Sequence, residues 1–424
     1  MNQVITEKLG NHRINVDHNA EITTPTGWTN NRLSDALCFL GGNAFKSTDL
    51  AHEGIKWLKI ANVGFGKVEW DTVDYLPYQF ENEYTKFLLS EGDIVMALTR
   101  PILGEKLKIA KVDADDAPAL LNQRVAKLVA NEGYSIDYLY HYLSKTTTVA
   151  EIGNAIAGTD PPNLGFNDLR KVRICTPPIE EQQKIASILS TWEKAIELKE
   201  KLIEQKKEQK KGLMQKLLTG KSRLRGFEGE WEVKEIKKIS KVYRGASPRP
   251  ISDSKWFDDD SRIGWVRISD VTKSKKYLTQ TEQYLSVEGV KKSRFIQANN
   301  IIMSICATVG KPIVTGFDVC IHDGFVVFDE LSINQDYFYY YLLKLEDGWS
   351  KYGQTGSQMN LNTDIVGNEK IFFPLDKNEQ QAIADVLANA DKEIDLLNDE
   401  VESIRFQKKG LMQLLLTGKV RVKV

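Results

Sequence analysis

The segment KKGLMQKLLTGKSRLR at residues 210–225 returns as KKGLMQLLLTGKVRVK at 408–423, with the shared glycine displaced by 198 residues from Gly212 to Gly410. A chain that writes one helix end twice has an internal repeat, and its fold must accommodate two related units. At the same offset EEQQKIASIL (180–189) pairs with NEQQAIADVL (378–387), and the match continues without gaps to Arg223 and Arg421. Upstream the copies diverge but keep their landmarks in order. GWTNNRLSDALCFLGG (27–42) answers EWEVKEIKKISKVYRG (230–245), and WLKIANV (57–63) answers WVRISDV (265–271). GDIVMAL (92–98) answers NNIIMSI (299–305), and YLYHYL (138–143) answers YFYYYL (337–342). The layout is therefore globular part, long helix, globular part, long helix, with the helices copied closely and the globular parts loosely.

Each repeated helix carries start and stop signals. The TPP of 176–178 places prolines at a first turn, where no intrahelical N–H is lost. Asp376 and Glu379 have the spacing of a capping box. Gly220 and Gly418 stand where a left-handed terminal residue is wanted, each followed by lysine. Between these signals lie roughly forty residues, or about 60 Å of helix. Ile383, Leu387, Ala390, Ile394, Leu397, Val401, Ile404, Leu411 and Leu415 follow alternating steps of four and three, an a/d seam broken only by Lys408. The first copy keeps Ile185, Leu189, Trp192, Ile196, Leu213 and Leu217 but sets Lys199, Lys206 and Lys210 on the same row. Two such helices most simply pack on each other, and the globular unit between them permits an antiparallel arrangement. Gly212 and Gly410, inside the helical pattern, suggest a close approach to the other helix or to another protein.

The globular parts read as α/β. Short β-rich runs (IKWLKI, DIVMAL, KLKIAKV; then IGWVRIS, NIIMSI, PIVTGF, GFVVFD) alternate with Gly/Asn/Asp turns. A tyrosine-bearing helix follows at 137–145 and again at 336–344; its rings suit core packing better than base stacking. Motifs of catalysis fail on inspection. DPPN (160–163) has Asn163 where a base-flipping methyltransferase needs an aromatic ring, and TGKS (219–222) lacks the first glycine of a phosphate loop and follows a helix. EQK at 204–206 and 208–210 lies mid-helix without an upstream acidic ligand. The histidines are dispersed, and neither HExxH nor GxSxG occurs.

Bulk composition narrows the class. At 424 residues the chain exceeds one ordinary core. No apolar run is long enough to span a bilayer and the amino-terminal stretch has no apolar h-region, so a cytoplasmic location is expected. Cys38, Cys175, Cys306 and Cys320 lack metal-ligand spacing and read as reduced, mostly buried thiols. With 57 basic against 58 acidic side chains the net charge is −1, unusual for a nucleic-acid binder unless basic groups are segregated on one face. A duplicated reader without an active site would bind rather than catalyse. Helices of this length could hold two heads one turn of B-DNA apart, about 34 Å.

The order of units, with PPIEEQQKIASIL…KKGLMQKLLTGKSRLR and its second copy, closely resembles the specificity (S) subunits of type I restriction-modification systems over nearly the whole chain from Trp28. The helix motifs carry this resemblance most specifically; GDIVMAL and WVRISDV carry it less so. It implies two α/β (α+β) target recognition domains joined by two long antiparallel coiled-coil helices with a pseudo-twofold internal repeat. The corresponding boundaries are an arm at 1–27, recognition domains at 28–175 and 227–372, and spacer helices at 176–226 and 373–424. It also implies a non-catalytic subunit that binds double-stranded DNA, reads one half-site per domain, and assembles with two methyltransferase (M) subunits and restriction (R) subunits. S-adenosylmethionine, ATP and Mg would sit on those partners, no cofactor or metal on this chain, and M could supply part of the phosphate contact that a near-neutral chain lacks. Because Arg and Lys favour guanine and Asn and Gln adenine, the candidate DNA contacts are Lys46, Asn62, Lys67, Arg100, Lys106 and Arg124 in the first head. In the second they are Arg244, Arg249, Arg267, Lys273, Lys275, Lys311, Gln354 and Gln358, with Arg244 and Arg249 foremost because they flank the GASP loop. The competing readings are a coiled-coil scaffold with two protein-binding heads, and a DNA methyltransferase with an unrecognised site.

Overall fold

The computed structural model describes residues 24–158, 161–346, 348–349 and 361–424. The chain divides into two compact units: the residues up to Glu197 together with Glu402–Val424, and Leu198–Val401. Each therefore owns one globular head and a part of both long helices. Among the described residues no helix is long and apolar enough to cross a membrane, and all four cysteines are free, Cys320 buried and the other three half-buried.

In the first unit a five-stranded sheet runs in the order Leu37–Gly41, Val125–Ala130, Ile94–Ala97, Ile109–Lys111, Phe65–Lys67, antiparallel except for its last pair. A four-stranded sheet follows the order Tyr75–Leu76, Ile55–Leu58, Ala119–Leu121, Leu88–Leu89. A two-stranded ribbon joins Thr29–Arg32 to Arg173–Thr176. The second unit repeats all three. Its five strands are Lys241–Arg244, Phe325–Asp329, Ile301–Ser304, Pro312–Thr315 and Tyr277–Leu278; its four are Gln283–Tyr284, Gly264–Val266, Val319–Ile321 and Arg294–Ile296. Its ribbon pairs Trp231–Glu235 with Lys370–Pro374. The β-rich runs expected from sequence are strands in both heads. Leu37–Gly41 and Val125–Ala130 were missed, the latter because VAKLVA has no clean alternation.

The tyrosine helices span Ile136–Leu143 and Gln335–Leu345, each capped by a side chain (Ser135, Asn334) that accepts the N–H three residues on. Tyr138, Tyr140 and Tyr142, and Tyr337 and Tyr339 to Tyr341, are core residues, so stacking on bases is not their role. The head cores extend onto the helices: Ile185, Ala186 and Leu189 with Leu415 and Leu416 in the first unit, and Leu217 and Leu218 with Ile383, Ala384 and Leu387 in the second.

The long helices are Ile179–Leu217 and Lys377–Leu415, 39 residues each. Gly220 and Gly418 end them in the left-handed region, at φ +67° and +69°. Cross-helix partners run in opposite senses within each unit: Glu181 with Arg421 and Glu193 with Lys408 in the first, Lys199 with Glu400, Lys206 with Glu393 and Lys210 with Asp391 in the second. The helix segments of each unit are thus antiparallel. Every lysine that interrupts the apolar row faces a carboxylate of the opposite helix, which is why the row tolerates them. Ile185, Leu189, Leu217, Ile383, Leu387, Val401 and Leu415 are buried, while Trp192, Ile196, Ile394, Leu397, Ile404 and Leu411 are half-buried. Leu213 departs from the expected seam: it is 36% exposed, and Met214 turns inward beside Leu217 instead. A straight helix drifts by about 20° per heptad against a 3.5-residue repeat, so the neighbouring residue takes over the inward position.

Two local expectations are corrected. Asp376 caps its helix by accepting the Asn378 N–H at 2.8 Å, but Glu379 does not complete a capping box, because its carboxylate takes a bidentate pair from Arg223 at 3.0 and 2.6 Å. Arg421 does the same to Glu181 at 2.7 and 2.6 Å. An added Cβ at Gly212 or Gly410 would meet nothing within 4 Å, so neither glycine serves a close approach among the described residues.

Candidate nucleic-acid interface

In each head the same loops leave one edge of the five-stranded sheet. In the first unit Gly41, Ala97, Ile109 and Val125 end or begin their strands there. The turn Asn122–Arg124 connects the two sheets, and the loop after Gly42 lies across it: Gly42 N–H donates to Val125 O, Asn43 N–H to Leu121 O and Gln123 N–H to Asn43 O. Gly42 is required because a Cβ there would stand 2.2 Å from Leu121 O. The next loop is tied in by Leu98 N–H to Arg124 O and Leu164 N–H to Leu98 O. The second unit repeats these bonds: Gly245 N–H to Phe325 O, Ala246 N–H to Ile321 O, Ile305 N–H to Gly324 O, and Leu361 N–H to Ile305 O. A Cβ on Gly245 would meet His322 O at 2.0 Å.

This scaffold sorts the candidate residues. Lys46, Arg100 and Arg124 are exposed on loops at that edge and Lys106 on a short hairpin, Ile102–Leu103 with Lys106–Leu107, and none forms an ion pair among the described residues. Arg100 holds a left-handed φ of +48°, its N–H bound to Pro162 O, and the Lys106 ammonium lies 5.6 Å from the Phe65 ring centroid. Lys67 is exposed but stands level with Lys111 and Ile94, two positions down the sheet from the loops. Asn62 is a correction. It is 4% exposed, accepts the Lys59 N–H at 3.0 Å and donates to Glu69 O and Thr72 O at 3.0 Å each. Its amide is spent on folding the 59–72 turn and cannot read a base. Asn163, from the DPPN turn, likewise closes a loop, accepting from Thr99 Oγ1 at 2.7 Å.

In the second head Arg244, Arg249 and Arg267 are exposed at the corresponding edge, and Lys311 directly precedes the strand Pro312–Thr315 there. Arg267 follows Val266, which is in register with Ile321, and so lies level with His322. Lys273 and Lys275 are held by carboxylates instead, Glu282 at 2.5 Å and Asp395 at 2.7 Å. With Lys311 they line a groove of about 1220 Å³ that also takes in Tyr339, Tyr340, Asp391 and Asp395. Gln354 and Gln358 lie outside the described residues. Sequence reading overlooked Asp323, because a carboxylate repels phosphate and carries no DNA-binding signal. It accepts from Ser247 Oγ at 2.8 Å and from Arg249 at 3.2 Å, while its carbonyl accepts from Arg244 Nε at 2.7 Å. Burial works against its ionisation, but the Ser247 hydroxyl, its own N–H and Arg249 hold the carboxyl below its ordinary value. His322 Nδ1 accepts the Gly324 N–H at 2.8 Å, so its 3.8 Å approach to Asp323 is no ion pair, and burial pushes its pKa down.

Both halves of the chain match one family model, the type I restriction modification DNA specificity domain, at residues 25–207 and 228–405. The chain belongs to that family. Of its relatives, the type I restriction enzyme MjaVIII specificity subunit of Methanocaldococcus jannaschii is 38% identical over 204 residues, 48% of each chain. The chain thus spans about half the length of that relative. The putative MjaX specificity subunit of the same organism is 25% identical over 422 residues, covering 94% of this chain and 95% of the relative. The crystal structure of a type I restriction-modification S subunit from M. genitalium superposes with a TM-score of 0.56 at 14% identity, covering 92% of this chain and 96% of that one. A chain from a study of assembly and conformational transition of the type I system also gives 0.56, at 18% identity, covering 94% and 99%. At these identities the two structures speak for the fold, and they agree with two α/β heads carried on two long helices.

Proposed function

We propose that this chain is the DNA-recognition subunit of a type I restriction-modification complex, each head reading one half of a bipartite target and the helix pair setting the unread gap. The observation that carries the reading is the contrast between what is copied and what is varied. Sheet order, loop-to-turn hydrogen bonds and helix clamps are repeated in both units, while the residues at that edge differ: exposed Lys46, Gln123 and Arg124 against exposed Arg249, half-buried Asp323 and buried Gly324. Common architecture with unlike tips is what two different half-sites require, since base edges are told apart by donor and acceptor pattern. The chain in this reading is not itself an enzyme. Two methyltransferase subunits would bring S-adenosylmethionine and share the phosphate contact, and restriction subunits would bring ATP and Mg, all in the cytoplasm.

The test is methylation mapping in a host that supplies this chain with its cognate methyltransferase subunit. A bipartite motif with a fixed gap is expected; methylation at a single contiguous motif, or none dependent on this chain, would refute the reading. Binding of the assembled complex to target DNA should weaken steeply with salt, which a protein-binding scaffold would not show.

A further inference from the structure

The two turns that join the sheets differ in one chemically telling way. In the first unit the turn is Asn122–Gln123–Arg124, and the Gln123 side chain is exposed with Lys46 and Arg124 on the same edge. In the second it is His322–Asp323–Gly324, and the acid at the matching position grips the neighbouring loop. Resting on the proposed function, we propose that this turn position sets base choice in each head: Gln123 reads directly, whereas the Asp323 carboxylate is a positioning group that presents Arg249 to guanine, beside an Arg244 held by the backbone carbonyl of the same residue.

The geometry fits that division. Arg244 spends Nε on the Asp323 carbonyl, which leaves both terminal amino groups free to meet two acceptors side by side, as guanine O6 and N7 offer in the major groove. Arg249 gives Asp323 one long bond of 3.2 Å from an otherwise exposed guanidinium, its side chain 74% accessible. That contact limits where the group can swing without consuming its donors. Ser247 holds the other carboxylate oxygen, so the acid is fixed before either arginine is placed. An arginine preorganised in this way loses less side-chain freedom on binding than a free one. A bare carboxylate facing the backbone would only repel phosphate, and its occupation by one guanidinium and a hydroxyl reduces that penalty. In the first unit no acid takes this position, and the exposed amide of Gln123 has the donor–acceptor pair that suits adenine.

The experiment compares methylation motifs of complexes assembled with the wild-type chain, Asp323→Asn, Arg249→Ala and Gln123→Ala. Asp323→Asn keeps an acceptor for Ser247 and removes the charge; Arg249→Ala truncates an exposed side chain whose ion pair is with Asp323. Both should relax one guanine in a single half-site, raising methylation at the substituted site about tenfold or more, and leave the other half-site unchanged. Gln123→Ala should relax a position in the opposite half-site only. The proposal is overturned if the wild type is bipartite and Asp323→Asn either keeps full discrimination or weakens both half-sites alike. A wild type that marks no bipartite site would overturn the functional reading and this proposal with it.

Discussion

His141 shows how one residue type can report the packing between head and helix. It is fully buried, Nε2 lies 3.1 Å from Ser190 Oγ, and Nδ1 lies 3.6 Å from Glu193, which the Lys408 ammonium engages. Burial first, then the Lys408 and Lys111 charges, push its pKa down to about 3. The folded state therefore holds it neutral, while the unfolded chain binds a proton below pH 6.5. Its contribution is complete above that value and is lost as pH falls toward 3, at about 1.4 kcal/mol per pH unit. The second unit solves the same position with tyrosine: Tyr340 donates to Asp391 at 2.9 Å, and Lys210 pairs with that acid. His141→Tyr should consequently flatten the fall in unfolding free energy between pH 6 and 4, followed by denaturant titration at each pH. A slope equal to that of the wild type would contradict this account. Asn62 makes the complementary point, since an amide that looked free to read adenine is a buried turn staple. Asn62→Ala should lower stability by about 2–3 kcal/mol by stranding its partners, measured by chemical denaturation, with no change in the methylated motif.

At the scale of elements, the repeat is a set of connectors. Gln182 accepts the Ser135 N–H and donates to Pro177 O, and Gln380 accepts the Asn334 N–H and donates to Pro374 O. Each ties a long helix to the start of its head's tyrosine helix, which accounts for the first glutamine of the shared QQ pair. Arg223 and Arg421 each reach a buried glutamate at the start of the opposite helix, Glu379 and Glu181. These contacts explain the copied glutamate, first glutamine and arginine, but not Gly212 and Gly410, where an added Cβ would meet nothing within 4 Å among the described residues. Changing both to alanine should stabilise the isolated chain by about 1 kcal/mol each, read from the unfolding midpoint. If the glycines serve a docked partner, the same variant should bind its methyltransferase subunit more weakly; unaltered affinity would leave them without that role.

For the whole molecule the proposal turns on continuous helices of 39 residues, or about 58 Å at 1.5 Å per residue. Removing one heptad from each, at matched positions in the middle of the pair, keeps the seam in phase and shortens the helices by about 10 Å. The unread gap in the methylated motif should shrink by about three base pairs at the 3.4 Å rise of B-DNA. A gap of unchanged length would mean that something other than the helices sets it. Near-neutral net charge fits this arrangement, because cations concentrate at the loop edges while acids answer lysines across the helix pair.

Periodicity and repetition sufficed for the repeat, the antiparallel helix pair, the glycine terminators and the tyrosine cores, because local propensity and an apolar row act over a few turns and leave their mark in order along the chain. What the chain's linear order could not disclose was decided by contacts between distant segments. The lysines on the seam became cross-helix partners, Glu379 abandoned its cap for an arginine 156 residues away, and Leu213 yielded to Met214. Likewise Asn62 vanished into a turn and Asp323 emerged as the organiser of a loop 74 to 79 residues before it. Whether a polar side chain faces solvent or staples a fold depends on which carbonyls and charges the tertiary structure brings within 3 Å of it, and that proximity has no signature in sequence spacing.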